Sequence, residues 1–162
     1  MQTVLLLQLL LLVVVANATP VLAKKLLGPA TAWPLDGGMR LSDGQPFLGA
    51  SKTVRGVVFS VVLTPLVAIL VGLSWKVGLV VALSAMAGDL LSSFAKRRMG
   101  RPPSSQAIGL DQIPESLFPL LAARWLVPIT VVEALVGTVL FFIGSLLASR
   151  ILFKLNLRDR PY

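Results

Sequence analysis

Long apolar runs alternate with short polar segments along this chain, at a spacing far wider than the period of an amphipathic helix or strand. Residues 1–23, MQTVLLLQLLLLVVVANATPVLA, run apolar until Lys24 and Lys25. Further runs cover Val57–Leu73, Val77–Ala95 and Leu126–Ser149. A helix needs roughly 17–25 residues to cross a bilayer, so these runs predict spans and not core helices of a soluble domain. Pro65 is expected to kink the second, and Ser74–Lys76 is a turn. The stretch IPESLFPLLAA, residues 113–123, is ambiguous on length alone and carries Pro119.

Charge decides how that stretch is read. With a crossing there, only Lys76 and Arg124 of the fifteen Lys/Arg residues fall outside. Without it, Arg150, Lys154, Arg158 and Arg160 would join them. The positive-inside rule therefore predicts five spans, with the N-terminus outside, the C-terminus cytoplasmic and the fourth span short or tilted. The expected fold is an all-α integral membrane protein. Residues 1–162 form a single transmembrane domain, and cytoplasmic loops 24–56 and 96–112 make its polar site. The first run has no positive segment ahead of it, so it is expected to be a span and not a signal peptide.

Composition agrees and narrows the chemistry. The chain is 56% hydrophobic and only 14% charged, against about a quarter charged in soluble domains. It has no cysteine and no histidine. Disulfides, thiolate and imidazole metal sites and His-based catalysis are excluded. A net charge of +8 fits cytoplasmic loops that face anionic lipid or phosphate, with no need to invoke nucleic acid.

The candidate chemistry lies in the two loops. In AGDLLSSFAKRR, residues 87–98, Asp89, Ser93 and Lys96 share one helical face, with Ser92 at its border. Asp89 sits roughly 10 Å below the basic exit at 1.5 Å per residue, a depth where an unpaired carboxylate is expensive. It can be an ion pair that only ties helices together. Asp111, at the mouth of the fourth span, can instead approach it. Two carboxylates beside clustered cations are a minimal set for a divalent ion and a phosphate substrate. In the first loop, Lys52, Thr53 and Arg55 resemble a phosphate cradle before a helix N-terminus, although GQPFLGASKT is not a Walker A motif. Lipid-headgroup anchoring explains the charges of Lys52 and Arg55 but not the threonine and glycines spread among them. Asp36 and Asp43 stand in turn sequences, LDGG and SDGQ. Glu133 is expected to make a structural polar contact. Asn17 and Thr19 can cap or bond across helices near Pro20, and Trp33, Trp75 and Trp125 flank spans as interfacial anchors.

ANATPVL, PLDGGMRLSDGQPFLGASKTVRG, GDLLSSFAKRR with LDQ, and RILFKLNLRDRPY together resemble the CDP-archaeol synthase family, relatives of the CDP-diacylglycerol synthases. The resemblance implies a Mg²⁺-dependent cytidylyltransferase that joins CTP to a membrane lipid phosphate and releases pyrophosphate. It implies metal positions at Asp89 and Asp111. It implies nucleotide-handling positions at Lys52, Thr53, Arg55, Ser93, Lys96 and Arg97, with Asp89, Asp111 and Lys96 catalytic. The family motif in the second loop reads Asp-Gln-hydrophobic-Asp. Here Pro114 follows Asp111-Gln112-Ile113, with Glu115 one position later. Either Glu115 substitutes as a metal ligand, or one contact is missing.

Two other classes fit the composition. One is a small transporter or ion pathway using Asp89 and Glu133. The other is a different lipid-phosphate enzyme, such as a lipid kinase or acyltransferase. Whether the lipid carries ester-linked acyl or ether-linked isoprenoid chains is not encoded legibly, and a homo-oligomer is compatible with the sequence.

Overall fold

Pro20 lies inside an apolar run without stopping its helix, because other side chains take over the hydrogen bond it removes. A computed structural model describes residues 2–28 and 31–154, with side chains as far as residue 150. Its elements are α1 (Thr3–Leu27), α2 (Val54–Leu70), α3 (Trp75–Arg98), α4 (Gln112–Ala123) and α5 (Val131–Lys154). Pro20 has no N–H for the carbonyl of Ala16, its partner one turn back. That carbonyl accepts instead from Ser60 Oγ of α2 at 3.0 Å and from Thr19 Oγ1 at 3.1 Å. The repair also ties α1 to α2. At Pro65, α3 presents Gly78, where an added Cβ would lie 2.5 Å from the Pro65 Cα, so only a glycine lets α3 lie this close to α2 there.

Helix α1 packs against all four other helices. Its Leu6, Leu9, Leu12 and Val13 are buried with Val77, Val81, Leu120 and Phe141. The outward faces stay apolar, with Val58, Val62 and Leu66 exposed on α2 and Leu135, Val139 and Ile143 on α5. Exposed stripes of this kind suit lipid and not water. Helices α1, α3 and α5, the last counted to Arg150, are long and apolar enough to cross a membrane. The 17 residues of α2 meet the lower bound. The 12 residues of α4 span only about 18 Å.

One contact fixes the direction of the path. The Gln2 N–H donates to Glu133 Oε1 at 2.7 Å, so α1 and α5 begin at the same end of the bundle. Helix α4 must return the chain to that end, as the charge distribution requires. Trp33, Trp75 and Trp125 are all exposed, as anchors should be.

The boundaries differ from expectation in ways that have local causes. Helix α5 starts at Val131 and not at Leu126, because Pro128 interrupts the run and Thr130 begins the helix. Thr130 and Glu133 form a capping box. Thr130 Oγ1 accepts from the Glu133 N–H at 3.2 Å, and Glu133 Oε2 accepts from the Thr130 N–H at 2.9 Å. Glu133 is therefore a structural polar contact, as expected. Helices α2 and α3 start early because Thr53 and Ser74 cap them, and α3 continues through Arg98. The polar loops shrink accordingly to residues 28–53 and 99–111. The tail cations Arg158 and Arg160 and the side chain of Lys154 lie outside the described residues.

Candidate functional site

The first loop is held by backbone bridges and by Asp36. Antiparallel bridges pair Pro34 with Thr53 and Arg40 with Pro46. The Asp36 carboxylate accepts the N–H groups of Gly38, Leu48 and Gly49 at 3.0, 2.8 and 3.1 Å. Burial raises the Asp36 pKa, but these backbone donors outweigh it and hold the group below the usual carboxylate range. A depressed folded pKa means the anion stabilises the loop above the unfolded value of 3.8, and that this contribution is lost as pH falls through the folded value. Amide exchange at Leu48 and Gly49, corrected for intrinsic rates, is expected to stay protected at neutral pH and to accelerate on acidification. Asp36→Asn should show the faster exchange already at neutral pH. Unchanged protection in that variant would remove Asp36 as the organiser of the loop.

The folded loop docks on the last turns of α3. Phe47 and Phe94 meet edge to face with ring centroids 5.3 Å apart. Arg98 lies over Phe94, donates to the Pro46 carbonyl at 2.6 Å and pairs with Asp43. Arg98 was not among the expected functional residues. Three consecutive cations point to three sides of a helix, and their spacing does not tell which one clamps a loop.

This docking delivers Lys52 to Asp89. Lys52 Nζ lies 2.7 and 2.6 Å from the two Asp89 carboxylate oxygens. A second pair joins Lys96 Nζ to Asp111 at 2.6 Å, with Lys96 also donating to the Ser105 carbonyl. Asp111 accepts the Ala107 N–H at 2.8 Å, and Gln112 Oε1 accepts the Gly109 N–H at 2.8 Å, so the LDQ turn is folded on itself. Ser92 Oγ reaches the Leu110 carbonyl at 2.6 Å and fastens this turn to α3.

A third acid, Glu115, stands near both pairs. It lies within electrostatic reach of Asp89, Lys52, Asp111 and Lys96. The backbone makes this possible at Gly88, where an added Cβ would come within 2.3 Å of the Pro114 carbonyl oxygen and 2.8 Å of the Glu115 nitrogen. No side chain fits there. Asn17 approaches from α1, donating through Nδ2 to the Glu115 carbonyl at 3.4 Å.

The remaining expected residues divide. Thr53 uses its hydroxyl to cap α2, accepting the Gly56 N–H at 3.4 Å. Arg55 Nη1 donates to the Gly28 carbonyl and to Thr31 Oγ1, so it closes the end of α1. Ser93 is buried. Arg97 is only 2% exposed, and its Nε and Nη1 have no hydrogen-bond partner. An added Cβ on Gly49 would lie 3.7 Å from Arg97 Nη1. Gly49 also lines a cleft of about 240 Å³ between the loops, with Asp36, Arg40 and Pro103.

Among the described residues, no three acidic side chains stand close enough together to cage a metal. Mg²⁺ does not need such a cage, since one or two carboxylates suffice when phosphate oxygens complete its shell. The donor set here is of that kind: hard oxygens only, with Asp89 and Asp111 each beside a lysine.

The whole chain, residues 1–162, matches the family model described as CarS-like: CDP-archaeol synthase. The CDP-archaeol synthase of Thermofilum pendens is 35% identical over 156 residues, which is 91% of this chain and 76% of that protein. That of Pyrococcus furiosus is 37% identical over 107 residues, 60% of each chain. That of Methanopyrus kandleri is 42% identical over 86 residues, 49% of this chain and 50% of the other. The match thus spans about half to three fifths of the latter two relatives. A solved structure presented as "Structural insight into an intramembrane enzyme for archaeal membrane lipids biosynthesis" superposes with a TM-score of 0.76 at 30% identity, covering 87% of this chain and 90% of that one.

Proposed function

Because the chain belongs to the CDP-archaeol synthase family, we propose that it is a cytidylyltransferase making a CDP-activated lipid from CTP and a membrane lipid phosphate. The observation that carries the reading is the cluster at the α3–α4 seam, where the Lys52–Asp89 and Lys96–Asp111 pairs stand with Glu115 within electrostatic reach of both. Lysines held by carboxylates can exchange those partners for phosphate oxygens when a nucleotide enters. The buried, unpartnered N–H groups of Arg97 are a further anion donor, since a buried unsatisfied guanidinium is costly unless something binds it.

In the reaction, an oxygen of the lipid phosphate forms a bond to the α-phosphorus of CTP. The bond from that phosphorus to the bridging oxygen breaks, and its electron pair leaves with pyrophosphate. The nucleophile is already ionised at neutral pH, so the absence of histidine is no obstacle. The chain's residues do the positioning. Lys52 and Lys96 neutralise phosphate charge, Asp89 and Asp111 hold those lysines in place, and the docked first loop limits water. Asp89 and Asp111 would hold Mg²⁺, which would supply charge neutralisation on the phosphates. The charge asymmetry orients this end of the bundle to the cytoplasm, where CTP is available.

The test uses detergent-purified chain, Mg²⁺ and a panel of ester- and ether-linked lipid phosphates, with CTP or ATP. Pyrophosphate release is expected with CTP and a lipid phosphate. ATP working in place of CTP, or no release with any lipid, would contradict the proposal.

A further inference from the structure

Glu115, within electrostatic reach of both lysine–acid pairs, has a backbone carbonyl that its own helix does not hold. In α4, the carbonyl of Glu115 would accept the N–H of residue 119, but residue 119 is proline. Asn17 supplies the missing donor from another helix. Its Nδ2 group donates to the Val13 carbonyl of α1 at 3.1 Å and to the Glu115 carbonyl of α4 at 3.4 Å. Gly88 of α3 admits the Pro114–Glu115 peptide so closely that a Cβ would clash with it. The two peptides that flank Glu115 are thus held by different helices, the one before it against Gly88 of α3 and the one after it by Asn17 of α1.

We propose that Asn17 is a positioning residue for the site, aiming the Glu115 carboxylate into the Lys52, Asp89, Lys96 and Asp111 cluster by holding the carbonyl that Pro119 leaves without its helical partner. Pro119 and Asn17 act as a unit. The proline frees the carbonyl from α4, and the asparagine transfers its hold to α1, so Glu115 is oriented by the bundle and not by its own short helix. A hydrogen-bond donor is required at position 17. Aspartate has the same shape but no donor, and it would place another negative charge beside Glu115.

This inference rests on the cytidylyltransferase reading, and its test separates the two. The full-length chain is compared with Asn17→Ala, Asn17→Asp, Pro119→Ala and the double variant Asn17→Ala/Pro119→Ala. Measured are kcat, KM for CTP and the unfolding temperature. Second-sphere losses typically cost 10–100-fold. Asn17→Ala is expected to lower kcat by about 10-fold, with little change in KM or unfolding temperature, and Asn17→Asp to lower it further. Alanine at position 119 restores an N–H that can bond the Glu115 carbonyl within α4, so the double variant is expected to recover most of the lost kcat.

A wild type that releases no pyrophosphate sinks the cytidylyltransferase reading, and the positioning role with it. An active wild type whose kcat survives both Asn17 substitutions overturns the positioning role alone. So does a loss that Pro119→Ala does not repair, because Asn17 would then act on something other than this carbonyl. An Asn17→Ala chain whose unfolding temperature collapses along with kcat would show a merely structural residue and overturn the proposal as well.

Discussion

Asp89→Asn is expected to lower CDP-lipid formation from CTP by about 10²-fold or more, since misplacement of one catalytic group by about 1 Å can cost that much. Asn keeps the shape and can still meet Lys52, but it removes the charge that holds the ammonium at 2.6–2.7 Å. Lys52 comes from a loop 37 residues away in sequence, so it depends on that charge for its place. The variant should still fold, because α3 is held by Val77, Val81 and Gly78 far from this end. The check is CTP-dependent product formation per mole of folded protein. Activity near wild type would remove Asp89 from the site, whatever the fold.

Gly88→Ala is the second large effect, and it acts through packing. The new methyl group would lie 2.3 Å from the Pro114 carbonyl oxygen and 2.5 Å from its carbon. The obstacle is backbone, which cannot swing aside as a side chain can. Helix α4 must move outward, and overpacking of this kind costs about 1–3 kcal/mol, more where backbone blocks the way. The same movement carries Asp111 and Glu115 away from Asp89. Stability and turnover should therefore fall together, the opposite of Asp89→Asn. Thermal unfolding and pyrophosphate release measured on the same preparation check this, and an alanine variant with normal values for both would show that the α3–α4 seam is looser than its geometry implies.

The architecture was legible because hydropathy and charge act over whole segments. Five helices follow from the apolar runs and the short fourth stretch, and the Gln2–Glu133 contact places the starts of α1 and α5 at one end of the bundle. Helix starts were less legible. Thr130 and Glu133 form a recognisable capping box, yet the apolar continuity from Leu126 masks it until Pro128 is given its weight. For the candidate site, the sequence singles out Asp89, Asp111, Lys52 and Lys96, with the two carboxylates expected to converge on each other. In the structure each acid is held by a lysine, and Glu115 lies within electrostatic reach of both. The partner of Asp89 was beyond reach because it depends on how the loop of Asp36 and Phe47 docks on Phe94 and Arg98, a tertiary event with no local period. Thr53 and Arg55 read as a cradle, yet they cap α2 and close α1. The bond from Asn17 to Glu115 had a signal, since a proline at position 119 announces an unsatisfied carbonyl at 115. Which helix answers it is decided by packing.

The central claim is that this cluster directs a lipid phosphate to the α-phosphorus of CTP. The most direct test follows two labels through one incubation of the purified chain with Mg²⁺ and a lipid phosphate. Label at the α-phosphorus of CTP is expected to enter the lipid while label at the γ-phosphorus appears in pyrophosphate, in equal amounts. Transfer of the γ-label to the lipid, or transfer of neither, would contradict the account.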